Sequence, residues 1–192
     1  ANETATATAD TNSETNVTGG QYYRDEYGHW HYKDASGKDL TGPQTIDGVK
    51  VYFNPGGVQV KGGFGWDGHY YDKDSGALVT NKFVDSYSST YYLDENGNKV
   101  IGPKEINGVW NYFNQYGEQV KGRFAPNGRY YDKYGKQVDF GTNRYFELNG
   151  EWYYAGNDGA ILKGPQTIDG VKVYFNQGGV QVKGYFVRDE GD

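Results

Sequence analysis

One 21-residue phrase occurs three times in this chain. Gly42–Gly62 reads GPQTIDGVKVYFNPGGVQVKG, Gly102–Gly122 reads GPKEINGVWNYFNQYGEQVKG and Gly164–Gly184 reads GPQTIDGVKVYFNQGGVQVKG, with starts 60 and 62 residues apart. Repetition of this kind restricts the fold to small modules that bury their apolar faces against their neighbours. A shorter rhythm runs inside the longer one. Aromatic pairs or near-pairs fall at Trp30/Tyr32, Tyr52/Phe53, Tyr70/Tyr71, Tyr91/Tyr92, Tyr112/Phe113, Tyr130/Tyr131, Tyr153/Tyr154 and Tyr174/Phe175, about one every twenty residues. Each is followed by a polar, glycine-containing stretch such as Asn96-Gly97 or Asp158-Gly159, where positive backbone dihedrals are accessible. A short aromatic strand, a tight turn and a short return strand make a β-hairpin. An isolated hairpin is marginal, so successive hairpins must stack. The expected fold is all-β: tandem short β-hairpins stacked as an incomplete β-solenoid-like array.

Composition supports this and closes other routes. The 30 glycines penalise helices, and with only 5 prolines and no strict three-residue period they do not make collagen. An aromatic content of 17% opposes wholesale disorder. Residues 1–19, rich in Thr, Ala and Asn and without an aromatic, read as a flexible leader. Residues 20–192 read as the repeat domain, with major units at about 20–62, 63–122 and 123–184. Asn16-Val17-Thr18 is a weak glycosylation match.

The net charge of -6 and the lack of a basic groove oppose nucleic-acid binding. No cysteine is present to form a disulfide, thiolate or cysteine–metal site. No apolar run is long enough to insert in a membrane. His29, His31 and His69 form no recurring ligand set, so no metal or other cofactor is expected. Asp72-Lys73-Asp74-Ser75-Gly76 starts like a calcium loop but lacks its full ligand pattern, and reads as a turn. The carboxylates sit at turn-like positions rather than as a catalytic pair, so no catalytic residue is assigned. Trp110 is expected to support packing of the middle unit.

The GxxxxGxxYYxxxxGxxxxG-like rhythm resembles bacterial cell-wall-binding and choline-binding repeats. The extended matches YFNPGGVQVKG, YFNQYGEQVKG and YFNQGGVQVKG, each preceded by a GPQTIDGV-like segment, are more similar to the glucan-binding repeats of glucansucrases, the accessory domain V of glycoside hydrolase family 70. The resemblance covers roughly Gly20 to Phe186. It implies a non-catalytic module of a secreted, extracellular or cell-surface enzyme. Such a module binds α-glucan, dextran or isomalto-oligosaccharides near a covalently linked, sucrose-dependent catalytic domain. It also implies pockets that combine an aromatic platform with Gln and Lys of a QxK segment: Gln59 and Lys61, Gln119 and Lys121, Gln181 and Lys183. The favoured platforms are Tyr32 with Trp30, then Tyr92, then Tyr154 with Trp152. Tyr91 and Tyr153 take the role if the strands face the other way. His31 stands at the first unit's equivalent of Tyr91, and Thr90 replaces the Trp of the flanking units, so the three surfaces should differ. Two other functions compete: a choline or cell-wall module built on an aromatic cage, and a structural spacer.

Overall fold

The computed structural model describes residues 15–184, and among them there is no helix. The expected all-β array of tandem hairpins is observed. Its strands are β1 (Asn16–Val17), β2 (Gln21–Arg24), β3 (Trp30–Lys33), β4 (Gly42–Ile46), β5 (Val49–Phe53), β6 (Gly63–Phe64), β7 (Tyr70–Tyr71), β8 (Lys82–Ser86) and β9 (Ser89–Leu93), followed by β10 (Gly102–Ile106), β11 (Val109–Phe113), β12 (Arg123–Phe124), β13 (Tyr130–Tyr131), β14 (Gln137–Val138), β15 (Arg144–Leu148), β16 (Glu151–Ala155), β17 (Gly164–Ile168) and β18 (Val171–Phe175). From β2 onward, consecutive strands pair antiparallel as hairpins, and β14 adds a third strand to β12–β13. The chain divides into two compact units, one up to Val100 and one from Ile101.

Turn chemistry fixes the register. Asp47-Gly48, Asn107-Gly108, Asn149-Gly150 and Asp169-Gly170 each place two consecutive residues at positive φ. That is the two-residue hairpin turn whose twist matches the flanking strands. With the turn fixed, Ile46 must face Val49 and Gly42 must face Phe53, as observed. The far end of a hairpin is closed by an Asn or Asp side chain that accepts two backbone N–H bonds. Asn54 Oδ1 takes Gly56 and Val58, Asp94 Oδ1 takes Asn96 and Asn98, and Asn176 Oδ1 takes Gly178 and Val180. Asp72 does the same work for Asp74 and Ser75, so that segment is an ordinary turn.

In the hairpins after β2–β3, whose second strand ends at the exposed Lys33, the last residue of the second strand points inward. Phe53, Leu93, Phe113, Tyr131, Ala155 and Phe175 are fully covered and Tyr71 nearly so. Covering a Phe of this kind contributes about 1.5–3 kcal/mol. In the first unit Phe53 packs with Tyr32, Ile46 and Val51; in the second, Phe146, Tyr153, Ala155 and Ile161 form one cluster and Val120, Ala125 and Tyr131 another. A single backbone hydrogen bond ties one hairpin to its predecessor. Gln59 N–H donates to the Trp30 carbonyl at 2.7 Å and Leu78 N–H to the Lys50 carbonyl at 2.8 Å. In the second unit Ile161 N–H reaches the Gly128 carbonyl at 2.9 Å and Gln181 N–H the Trp152 carbonyl at 2.8 Å.

Three findings differ from the sequence reading. The expected leader runs to residue 19, but Asn16–Val17 pairs in parallel with β4, and Val17 packs on the first core. Asn16 Oδ1 also accepts the Gly48 N–H at 2.7 Å, so the side chain of the glycosylation match is engaged in the fold. The leader's residues 1–14 lie outside the described residues. Trp110, expected in the packing, is exposed on β11.

Tyr87 departs from the turn rule. It has φ 55° at the β8–β9 turn, with its side chain fully in solvent. The left-handed region costs a residue with a bulky side chain about 1–2 kcal/mol, whereas Asn tolerates it. Tyr87→Asn should therefore stabilise the first unit by about 1 kcal/mol in urea unfolding. A loss of stability instead would show that the exposed ring has a packing role.

Candidate functional site

In the first unit, stacking of two hairpins leaves an open pocket of about 390 Å³. Its walls are Tyr22 of β2, Trp30 of β3, Ile46, Val49 and Val51 of the next hairpin, and the Gln59 and Lys61 side chains that follow it; Asp47 and Ser75 close the rim. Residues two apart on a strand share a face, so Gln59 and Lys61 point the same way. The Gln59 amide is buried, with neither its oxygen nor its nitrogen hydrogen-bonded. A buried amide in this condition is costly unless something bonds to it. Gly76 makes its position possible, because a Cβ there would lie 2.3 Å from Gln59 Nε2. Lys61 Nζ sits 5.2 Å from the centre of the Trp30 ring and donates to the Asp74 carbonyl at 3.3 Å. Arg24 approaches the same ring at 5.3 Å.

The structure distributes the aromatic candidates differently from one another. Trp30 and Tyr32 do share a face, but Tyr32 is 2% exposed. It is covered by Tyr22, whose ring meets it edge-on at 4.8 Å, and by Ile46, Val51 and Phe53. Its hydroxyl accepts the Gly20 N–H at 3.1 Å. The open ring is Tyr22, 39% exposed and directly across the ladder from Tyr32. Burial raises the Tyr22 pKa above the ordinary phenol value, keeping it a neutral donor. Gln59 lies close enough to its hydroxyl to pull the other way, without a hydrogen bond of good geometry between them. Sequence reasoning missed Tyr22, although hairpin register was the signal that could have found it.

The second unit repeats the arrangement. Tyr145 meets Tyr154 edge-on at 4.8 Å and lies 6.4 Å from Phe175, as Tyr22 lies 6.5 Å from Phe53. Lys183 Nζ is 5.3 Å from the Trp152 ring, and Gln181 is bonded through its backbone to Trp152. Trp152 is exposed and Tyr154 half-buried, whereas Tyr153 turns to the opposite face and packs against Phe124 and Phe146.

The middle motif is built otherwise. Gln119 donates from Nε2 to Asn111 Oδ1 at 2.7 Å, and Asn111, itself buried, donates to the Val109 carbonyl at 3.0 Å. The flanking repeats have Val51 and Val173 at the Asn111 position. Lys121 is exposed in the second unit. Tyr91 and Tyr92 lie on β9 of the first unit, where Phe64 and Phe83 meet them edge-on at 5.0 and 4.8 Å.

A larger cavity of about 890 Å³, also in the first unit, shares Val49 and Val51 with the Trp30 pocket. On one wall His69 Nδ1 lies 3.3 Å from Asp67 Oδ2, and His69 Nε2 lies 2.8 Å from Asn98 Oδ1. The Tyr71 hydroxyl donates to the same Asp67 oxygen. Burial pushes the Asp67 pKa up, but the bonds from His69 and Tyr71 outweigh it and leave it lowered. The Asp67 hydrogen bond raises the His69 pKa, with a smaller contribution from Asn98. Among the described residues no cluster of His, Asp or Glu could hold a metal ion.

The choline-binding repeat family matches residues 40–83 and 162–192. The chain is 39% identical over 179 residues to glucosyltransferase-S of Streptococcus mutans, covering 90% of this chain and 12% of the relative. It is 41% identical over 183 residues to glucosyltransferase-I of the same organism, covering 91% and 12%. The chain thus spans about one eighth of the length of these glucosyltransferases. The modular autolysin LytC of Streptococcus pneumoniae shares the fold, with a TM-score of 0.57 over 88% of this chain and 39% of that one, at 20% identity.

His69 makes stability depend on pH. Its pKa is raised on folding from the model-peptide value of 6.5, so its contribution is complete below that pH. The contribution is lost as pH rises through the higher folded-state value. Thermal melts should show the wild type losing stability over this interval and His69→Gln losing less. Equal pH slopes for the two proteins would contradict the assigned Asp67–His69–Asn98 relay.

Proposed function

We propose that this chain is a non-catalytic α-glucan-binding segment that holds polymer beside the catalytic domain of a sucrose-dependent glucosyltransferase. The observation that carries the reading is the duplicated Trp–Tyr–Gln–Lys arrangement, with a buried, unbonded Gln59 amide at the first copy. A sugar ring presents a C–H face that an indole or phenol can cover, and hydroxyls at its edge that donate and accept at once. A carboxamide does both, and a lysine ammonium donates. Trp30 and Tyr22, or Trp152 and Tyr145, supply the rings; Gln59 and Lys61, or Gln181 and Lys183, supply the polar edge. The sequence similarity to glucosyltransferases supports glucan as the polymer. The kinship of its relatives points to an extracellular or cell-surface setting, and secretion of the parent protein is part of the proposal.

The choline-binding match favours a second reading, an ammonium ligand in the same pockets. Charge opposes it. Lys61 and Lys183 already bring an ammonium within 5.2 and 5.3 Å of the two indole rings, so a quaternary ammonium would meet a like charge where it needs an aromatic face.

Two pockets, not three, are expected to work, because Asn111 already satisfies Gln119. In affinity electrophoresis the wild type should be retarded by dextran. Trp30→Ala with Trp152→Ala should remove most of that retardation, each change costing about 1–3 kcal/mol at its site. Gln119→Ala should migrate as the wild type. Unretarded migration of the wild type at saturating dextran sinks the proposal, and retardation lost in Gln119→Ala sinks the two-pocket count.

A further inference from the structure

The 890 Å³ cavity beside the Trp30 pocket has no role in that site, yet Val49 and Val51 wall both. The two cavities therefore adjoin at these valines. In the larger one the apolar strip continues through Ala77 and Leu78, and Leu78 is fixed by its backbone bond to Lys50. Around the strip stand groups of both hydrogen-bonding senses. Gln44 donates to the Thr41 carbonyl and keeps its amide oxygen for a ligand. Lys50, Glu95 and Asn96 line the cavity with side chains that make no hydrogen bond among the described residues. The relay from Asp67 through His69 holds Asn98 in place on the opposite wall. The charges oppose one another: Lys50 and His69 against Asp67 and Glu95. Mixed donors and acceptors, offsetting charge and an apolar strip suit an uncharged polyhydroxyl chain better than an ion.

We propose that this cavity is a second saccharide subsite, which takes the residues of a glucan chain that extend beyond the Trp30 pocket. The proposal rests on the reading of the Trp30 pocket as a saccharide site and adds a chain-length requirement to it. The first unit then recognises a run of polymer rather than a single ring, and prefers internal segments or long ends to short fragments.

Calorimetric titration of the full chain tests it, in a Trp152→Ala, Gln181→Ala background that silences the second unit's pocket. The ligands are isomaltotriose and isomaltooctaose. Extra binding registers alone favour the octasaccharide by about sixfold, so the subsite predicts a preference of about 30-fold or more, an excess of the size that one or two hydrogen bonds supply. Adding Lys50→Ala and Asn96→Ala, both exposed side chains, should reduce the preference to the register value and leave trisaccharide affinity unchanged. Amide spectra of the variant confirm the fold. A preference of about sixfold or less in the background protein overturns the subsite, as does a 30-fold preference that survives Lys50→Ala with Asn96→Ala. Failure of the background protein to bind either saccharide overturns the Trp30 reading itself, and the subsite falls with it.

Discussion

A five-residue, two-stranded hairpin cannot cover its own apolar face, and every other feature of this chain follows from that limit. The rings that end β5 and β18, Phe53 and Phe175, are fully covered, and each has the preceding hairpin against it: Tyr32 packs on Phe53 and Tyr145 lies 6.4 Å from Phe175. The price is set by turn chemistry as well as by packing: Asx-Gly pairs at positive φ give the register that aims these residues inward. Backbone bonds such as Gln59 N–H to the Trp30 carbonyl then set how far one hairpin steps past the next.

The candidate site at Trp30 is a by-product of the same stacking. Gln59, which donates the step bond in the first unit, carries its side chain into the space beside the preceding hairpin, next to Trp30; in the second unit Gln181 donates the same backbone bond, and Lys183 stands over Trp152. One sequence position thus serves as a structural tie and, in the proposed site, as its polar edge. Small changes around that position decide whether the site stays open. Val51 leaves the Gln59 amide unsatisfied, whereas Asn111 bonds Gln119 within the chain. Similarly, His69 and Arg129 stand at matching places in the two units. His69 reaches the Asn98 side chain with a group that titrates, and Arg129 reaches the Asp158 carbonyl with one that keeps its charge.

Much of this was legible in the sequence because repeats and turns are local. The three GPQTIDGV-like phrases and the Asp-Gly and Asn-Gly pairs specify hairpins without any long-range information, and the QxK spacing places Gln and Lys on one face. Which aromatic is left open was not legible. Period-two alternation puts Trp30 and Tyr32 on the same face but does not say that Tyr22 and the next hairpin cover Tyr32. Tyr22 and Tyr145 are found only by pairing strands across the turn. The quenching of Gln119 depends on a buried amide–amide bond, which a Val-to-Asn change in the repeat signals only once the two side chains are known to meet. The strand at Asn16–Val17 was hidden by a polar composition that resembles a linker, since two residues paired on a sheet edge need little apolar content.

The central claim is that stacking creates one carbohydrate seat in each unit, at Trp30 and at Trp152. A crystal structure of the full chain soaked with isomaltotriose tests it most directly. The account predicts sugar density against Trp30 and Tyr22 with a hydroxyl bonded to the Gln59 amide, and a matching residue against Trp152 and Tyr145 beside Gln181. Sugar seated away from both indoles, or a Gln59 amide left without a bond in the complex, would contradict it.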